Sequence, residues 1–177
     1  TGELLLRGKG GALYYMPDDF NNEIIWASNG KLTGQKDVIK SLSKGCGFAF
    51  LSGHGSPRVW ADHYPGVPGN RGHGSVTGLM TTDIFGPPFV PVERIRNINK
   101  PFILVVGGCH NSQFNVSLVT SILDAWLPMY MWTYGMPAPE CFSWWLVKLP
   151  KRGAIASIGN TGLGYGMLGG DCTISGL

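Results

Sequence analysis

The stretch FAFLSGHGS at residues 48–56 decides the fold, because four apolar residues in a row lead into a histidine between glycines. Two later stretches repeat the arrangement: PFILVVGGCHN at residues 101–111 and GAIASIGNTG at residues 153–162. Apolar runs without polar alternation are typical of strands covered on both faces, as in a parallel sheet. The three stretches therefore predict the strands of one mostly parallel sheet.

Helical spacing appears before the first of these strands. In residues 33–44, Val38, Ile39 and Leu42 fall on one helical face. Gly45 is suited to end a helix there. We therefore predict a helix over residues 33–44.

Two more helices are predicted between the second and third strands, over residues 116–126 and 139–148. Pro139 and Glu140 suit the first turn of the later helix. Strands that alternate with helices indicate an α/β fold. The aromatic side chains near these helices are expected to lie in the core: Trp126, Tyr130, Trp132, Tyr134, Trp144 and Trp145.

Two regions have weaker patterns. Residues 1–32 mix short apolar groups with turn formers, which favours hairpins or short strands that form an edge subdomain. Residues 56–99 are rich in glycine and proline and have little periodicity. A connection of that length is expected to be functional or partly disordered.

Composition limits the class of protein. The 177 residues suit one domain, and a 44% hydrophobic content is enough for a packed core. The net charge of +3 is small and scattered, which argues against nucleic-acid binding. No apolar stretch is long enough to predict a membrane span. We therefore expect a single domain, residues 1–177. Because the first residue is Thr1 rather than methionine, we expect this domain to be part of a larger protein.

A low charged fraction of 14% and the glycosylation-type sequence Asn115-Val116-Ser117 favour a secreted or cell-surface protein. The cysteines have no CxxC spacing, and the histidines match no ligand motif, so we expect no catalytic metal. A structural calcium ion held by loop oxygens stays open. If Cys109 is a free thiol, Cys46, Cys141 and Cys172 remain, so at most one intrachain disulfide can form among them. Cys141 with Cys172 is one option.

Reactive residues follow two of the predicted strands. His54 follows the first and Cys109 the second, and ligands bind outside the carboxyl ends of strands in open parallel sheets. A histidine near a cysteine supplies the base that makes the thiol a nucleophile. The amides of Gly55 and Cys109 are suited to hold an oxyanion. The pattern predicts acyl transfer by a thiolate.

The same residues carry a resemblance to a known family. Gly53-His54-Gly55-Ser56 followed by Trp60, and Pro101-Phe102-Ile103 leading to Cys109, Asn111 and Phe114, resemble gingipains, peptidase family C25 of the caspase-like clan. The strand at 153–157 with the Asn160-Thr161 turn is similar, and the resemblance covers about residues 36–166.

The resemblance implies a three-layer α/β/α sandwich and a cysteine endopeptidase that acts on proteins or peptides. Cys109 would attack the scissile carbonyl, and His54 would protonate the leaving amine. Neighbouring residues would bind substrate: Trp60, Gly108, His110, Asn111, Asn160, Thr161 and Tyr165. No cofactor is expected. The alternative is a catalytically silent caspase-like domain that serves as a binding or scaffold module in a larger extracellular protein.

The chain departs from the family pattern in two places. Ser112 stands where family members have glycine, and residues 57–100 form a longer connection that is expected to cover the site. Gingipains often orient the histidine with an acid, for which Asp18, Asp19 and Glu23 are the alternatives here.

Overall fold

A computed structural model describes residues 12–63, 75–81, 91–118 and 138–164. Its helices and strands, in chain order, are α1 (Ala12–Tyr15), α2 (Gln35–Ser43), β1 (Phe48–Leu51), β2 (His54–Ser56), β3 (Val59–His63), β4 (Ser75–Met80), a 3₁₀ helix (Pro91–Arg94), β5 (Phe102–Val106), α3 (Phe142–Val147) and β6 (Ala154–Gly159). The mixture of helices and parallel strands confirms the α/β class.

The central sheet has the order β1-β5-β6, and both strand pairs are parallel, as the sequence predicted. Leu51 pairs with Val106, which pairs with Gly159, so the carboxyl ends of the three strands lie level with one another. The loops that follow the strands therefore emerge at one edge of the sheet. That edge is where ligands bind in open parallel sheets.

Burial in this sheet alternates instead of covering both faces. Leu104 and Val106 are fully buried, whereas Ile103 on the opposite face is 43% exposed. Phe48 and Ile158 on that face are 39% and 53% exposed. Within the described ranges the exposed face has no covering layer, so a three-layer sandwich is not seen there.

A second sheet forms part of the connection over residues 56–99, in which the sequence shows little periodicity. Strands β2, β3 and β4 pair antiparallel, and the two-residue turn Pro57-Arg58 joins the first two. The sequence did not predict these strands, because they are short and carry glycine, histidine and aspartate, which hides their periodicity. Residues 64–74 and 82–90 lie outside the described residues.

The predicted hairpins of the N-terminal region are not formed in residues 12–32, which contain α1 and turns. The Asn29 side chain accounts for one of these turns. Its Oδ1 accepts hydrogen bonds from the amides of Trp26 and Lys31, at 3.1 and 3.0 Å. An asparagine that binds nearby main-chain groups in this way favours a turn over a strand.

Helix α2 confirms the first predicted helix and ends before Gly45, which has φ of +83°. It begins later than predicted because Asp37 Oδ2 accepts hydrogen bonds from the amide and hydroxyl of Thr33, at 2.8 and 2.7 Å. These bonds keep Thr33 outside the helix. The hydroxyl bond is also the main cause of the lowered pKa of Asp37.

Helix α3 is shorter than predicted. It begins after Cys141, so Pro139 and Glu140 lie outside it. Trp144 is 42% exposed, so its expected place in the core was wrong. The four aromatic residues of that group between residues 126 and 134, and most of the helix predicted over 116–126, lie outside the described residues. In the ranges that the structure describes, no helix has the length and apolar character to span a membrane.

The core lies between the buried face of the parallel sheet and helices α2 and α3. One buried polar residue, Asn97, fastens the starts of two strands. Its Nδ2 donates to the carbonyls of Lys100 and Gly153 at 2.8 and 2.9 Å, and its Oδ1 accepts from the Gly153 amide at 2.7 Å. Asn97 therefore holds the residues before β5 and β6 side by side.

We predict that Asn97→Ala lowers the free energy of unfolding by about 3 kcal/mol, because it leaves buried main-chain groups without partners. Urea denaturation would measure this change. Asn22→Ala is the control, since Asn22 is exposed. An equal urea midpoint for both variants would contradict the role of Asn97.

Candidate functional site

Two loops and one hairpin meet at the carboxyl edge of the parallel sheet. The Cys109 loop (residues 107–114) follows β5, and the β6 loop (residues 160–164) follows β6. Two residues, Ser52 and Gly53, separate β1 from the β2–β3 hairpin (residues 54–63). His54 is the first residue of β2 and is not part of a loop. These segments carry the sequence-predicted site residues that the structure describes.

The main chain beside His54 lies directly against the main chain beside Cys109. A Cβ atom placed on Gly108 would lie 2.8 Å from the His54 carbonyl oxygen and 2.9 Å from the Cα of Gly55. A Cβ on Gly55 would lie 2.7 Å from the Cys109 carbonyl oxygen. Only glycine permits such an approach without displacement. The two predicted catalytic residues thus belong to segments in direct contact.

Asn111 fastens this contact from inside the protein. Its side chain is fully buried, and its Nδ2 donates hydrogen bonds to the carbonyls of Ser56 and Val59 at 2.7 and 2.9 Å. Its Oδ1 lies close to where a Cβ on Gly55 or Gly108 would be, and it accepts no conventional hydrogen bond from a described residue. The Cα–H groups of glycines are weak donors to such an oxygen. Asn111 therefore ties the Cys109 loop to the hairpin that carries His54.

The β6 loop holds the Cys109 loop from the other side. The Ser112 amide donates to the Asn160 carbonyl at 2.9 Å, and the His110 amide donates to Gly162 at 2.7 Å. Asn160, which is 2% exposed, also donates from Nδ2 to the Gly107 carbonyl at 3.1 Å. The Cys109 loop is thus held between two segments of the same edge.

Cys109 is partly buried at the centre of this arrangement. The Gly164 amide donates a hydrogen bond to its Sγ at 3.3 Å, and the Gly164 carbonyl lies 3.6 Å from the same sulfur. The amides of Gly108 and Cys109 donate no hydrogen bond to any residue in the described ranges. A free amide beside the sulfur is what an oxyanion site requires. The sequence did not single out Gly164, for which its glycine-rich surroundings were the only signal.

Several residues predicted to bind substrate have other neighbours in the structure. His110 is 3% exposed, and its Nδ1 lies 2.9 Å from Gln113 Oε1. Trp60 is 5% exposed and packs against Gly53 and Gly78. Thr161 is exposed, whereas Tyr165 lies outside the described residues. Substrate contacts by these residues stay predictions.

The acid expected to orient His54 is not identified among the three alternatives. Asp18 and Asp19 are exposed, and Glu23 forms an ion pair with Lys44 at 2.6 Å. The hydrogen bond from Lys44 is the main cause of the lowered pKa of Glu23. Asp62 on β3 is the one buried carboxylate in the ranges that the structure describes.

Cys46, Cys109 and Cys141 are free thiols, and Cys172 lies outside the described residues. Partial burial of the sulfur is the main cause of the raised pKa of Cys46, and Glu23 adds to it. Burial likewise raises the pKa of Cys141. Both thiols therefore form less thiolate at neutral pH than an ordinary cysteine does.

The next question is whether the described residues form a candidate metal site. Among the residues that the structure describes, no three histidine, cysteine, aspartate or glutamate side chains are grouped to hold an ion. The structure does not describe His73 or the side chain of His63. A calcium ion held by loop carbonyls stays a prediction.

A family model described as peptidase family C25 matches residues 11–174, which is nearly the whole chain. No curated protein and no solved structure shows significant similarity to it. The chain therefore belongs to peptidase family C25, a family of cysteine peptidases. The resemblance seen in the sequence is confirmed and extends further towards the N-terminus than residue 36.

We predict that Gly108→Ala destabilises the protein by about 2–3 kcal/mol, because the added methyl group must displace the main chain of His54 and Gly55. Thermal unfolding would measure this loss. Gly47→Ala is the matched control, since a Cβ there meets no atom within 4 Å. Like Gly108, Gly47 lies close to the end of a strand of the parallel sheet, just before β1. Equal melting temperatures for the two variants would mean that the close contact is not required.

Proposed function

We propose that this member of family C25 is a cysteine endopeptidase with Cys109 as nucleophile and His54 as general acid and base. The observation that carries the proposal is the contact between Gly55 and Gly108, which sets the segments bearing His54 and Cys109 side by side at the carboxyl edge of the sheet. A thiol that shares a cleft with an imidazole is the arrangement for acyl transfer.

The reaction follows from these two groups. His54 takes the proton of Cys109, and the thiolate attacks the scissile carbonyl carbon, so that a carbon–sulfur bond forms. His54 then gives the proton to the leaving amine as the carbon–nitrogen bond breaks. Water, deprotonated by His54, attacks the thioester, and the carbon–sulfur bond breaks to release the acid and restore the thiol.

The tetrahedral intermediates carry a negative oxygen that needs hydrogen-bond donors. We assign this role to the amides of Gly55 and Cys109. The Cys109 amide supports the assignment because no described residue accepts a hydrogen bond from it. A donor that is already in place costs no reorganisation during the reaction.

The substrates we propose are proteins or peptides, bound across the rim formed by the Cys109 and β6 loops. Exposed Thr161 is suited to contact an extended peptide, whereas Gly108 and Asn160 are buried and support the rim from beneath. His110 and Asn111 serve this rim from inside, since both side chains are buried. No cofactor is needed for this chemistry.

We further propose that residues 1–177 form one caspase-like catalytic domain of a larger protein, and that the protein is secreted or lies at the cell surface. Asn115 supports the location because this residue of the glycosylation-type sequence is exposed. A mass shift after treatment of the natural protein with a glycosidase would test the location.

We predict that a peptide carrying a thiol-reactive electrophile modifies Cys109 before the other cysteines. Cys141 is buried, and the raised pKa of the exposed Cys46 thiol lowers its share of thiolate, so we expect both to react more slowly than Cys109. Mass spectrometry of the modified peptides would rank the sites. Similar labelling of every cysteine, or none at Cys109, would favour the silent scaffold domain instead.

We also predict that Cys109→Ala lowers kcat/KM for peptide cleavage at least about 10⁴-fold, since the nucleophile is lost. Its melting temperature should stay close to that of the unchanged protein, because Cys109 lies beyond the end of β5 and is only partly buried. Cleavage of a peptide library would measure activity.

Cys46→Ala is the matched control for this experiment, because it removes a free thiol just before β1. It should cleave the library as the unchanged protein does. Activity retained by Cys109→Ala together with a large loss of stability would make Cys109 a packing residue and end the proposal.

A further inference from the structure

Two buried hydroxyl groups, of Ser112 and Ser143, and the half-buried hydroxyl of Ser157 connect the Cys109 loop to α3 and β6. The Oγ of Ser143 lies 2.6 Å from the Oγ of Ser112 and accepts a hydrogen bond from the Oγ of Ser157 at 2.8 Å. Ser143 is fully buried and Ser112 is 2% exposed. Because buried polar groups need partners, these hydroxyls depend on one another. Helix, strand and loop therefore meet at the hydroxyl of Ser143.

The main chain repeats this connection. The Ser143 amide donates to the Asn111 carbonyl at 3.0 Å, while the Ser112 amide donates to the Asn160 carbonyl at 2.9 Å. The turn at Asn111 and Ser112 is thus bound by α3 on one side and by the β6 loop on the other. Ser143 binds it twice, once through its amide and once through its hydroxyl.

The residue between this anchor and the nucleophile has an unusual conformation. His110 has φ of +57°, which places a residue with a side chain in the left-handed region. Such a conformation is unfavourable outside glycine and persists only where the surrounding structure holds it. The anchor at Asn111 and Ser112 begins directly after His110. It therefore maintains the turn that sets the direction of the Cys109 side chain.

We propose that Ser143 is a positioning residue for Cys109: its hydroxyl, bound to Ser112, keeps the Cys109 loop in the conformation that presents Sγ to a substrate. The inference rests on the proposed function of Cys109 as nucleophile. It assigns to α3 a part in catalysis that the sequence did not indicate, because a serine in a short apolar helix has no motif around it. Ser157 supports Ser143 from β6.

The test compares Ser143→Ala, Ser112→Ala and the double variant. A nucleophile out of place reacts more slowly without binding its substrate less, so each variant should lower kcat about tenfold and change KM less than about twofold. The double variant should be no worse than either single variant, because both remove the same bond. The rate of Cys109 alkylation by iodoacetamide, followed by mass spectrometry, should fall in parallel.

Ser43→Ala is the matched control. The Oγ of Ser43, at the end of α2, accepts a hydrogen bond from the Arg96 amide at 3.0 Å, and neither residue belongs to the site. This variant also loses a tertiary hydrogen bond of a serine hydroxyl, here an exposed bond to a main-chain amide, so its melting temperature should fall by a smaller amount. Its kcat and its rate of Cys109 alkylation should not change.

A lower melting temperature of Ser143→Ala without a change in kcat or alkylation would overturn the proposal, as would additive effects in the double variant. If the unchanged protein cleaves no peptide, the proposed function fails, and the alkylation rates still decide whether Ser143 orients the thiol. If Ser143→Ala does not fold, Ser112→Ala decides the question with the same expectations.

Discussion

The site depends on the close approach of two stretches of main chain, at Gly55 and at Gly108. Neither glycine has a side chain, and the carboxamide of Asn111 fills the space where their Cβ atoms would be. Hydrogen bonds from Asn111 to Ser56 and Val59 are buried, so breaking them would leave polar groups without partners and would cost more than the bonds contribute. The contact is therefore held by close packing of main chain against main chain and by buried hydrogen bonds that water cannot replace.

The parallel sheet makes this approach possible. Leu51 and Val106 end neighbouring strands at the same level, and the Gly107 amide donates to the Leu51 carbonyl at 2.8 Å. The chain then turns into β2, so His54 comes over the start of the Cys109 loop. Both segments follow strands whose inner face is buried in the core, which gives them a rigid base although Cys109 itself lies in a loop. Distance along the sequence is irrelevant because the register of β1 and β5 brings the segments together.

The sequence predicted β1 correctly and placed β5 and β6 to within one residue, because apolar runs bounded by glycine and charge are local signals. It missed strands β2 to β4, whose residues show no clear alternation. It did not predict that His110 and Asn111 are buried, and their contacts with substrate stay predictions. A polar residue in a loop gives no local sign of facing inward, since the partners of Asn111 lie more than 50 residues earlier in the chain.

The anchors of the site are neutral, and this suits the chemistry proposed for it. The Cys109 loop and the β6 loop contain no aspartate or glutamate, and their described contacts use carboxamides, hydroxyls and main-chain groups. A carboxylate used as an anchor beside Cys109 would disfavour the thiolate by repulsion between like charges. A hydroxyl such as that of Ser143 fixes the loop without adding charge. The described anchors of the Cys109 loop thus hold it in place without adding a charge to it.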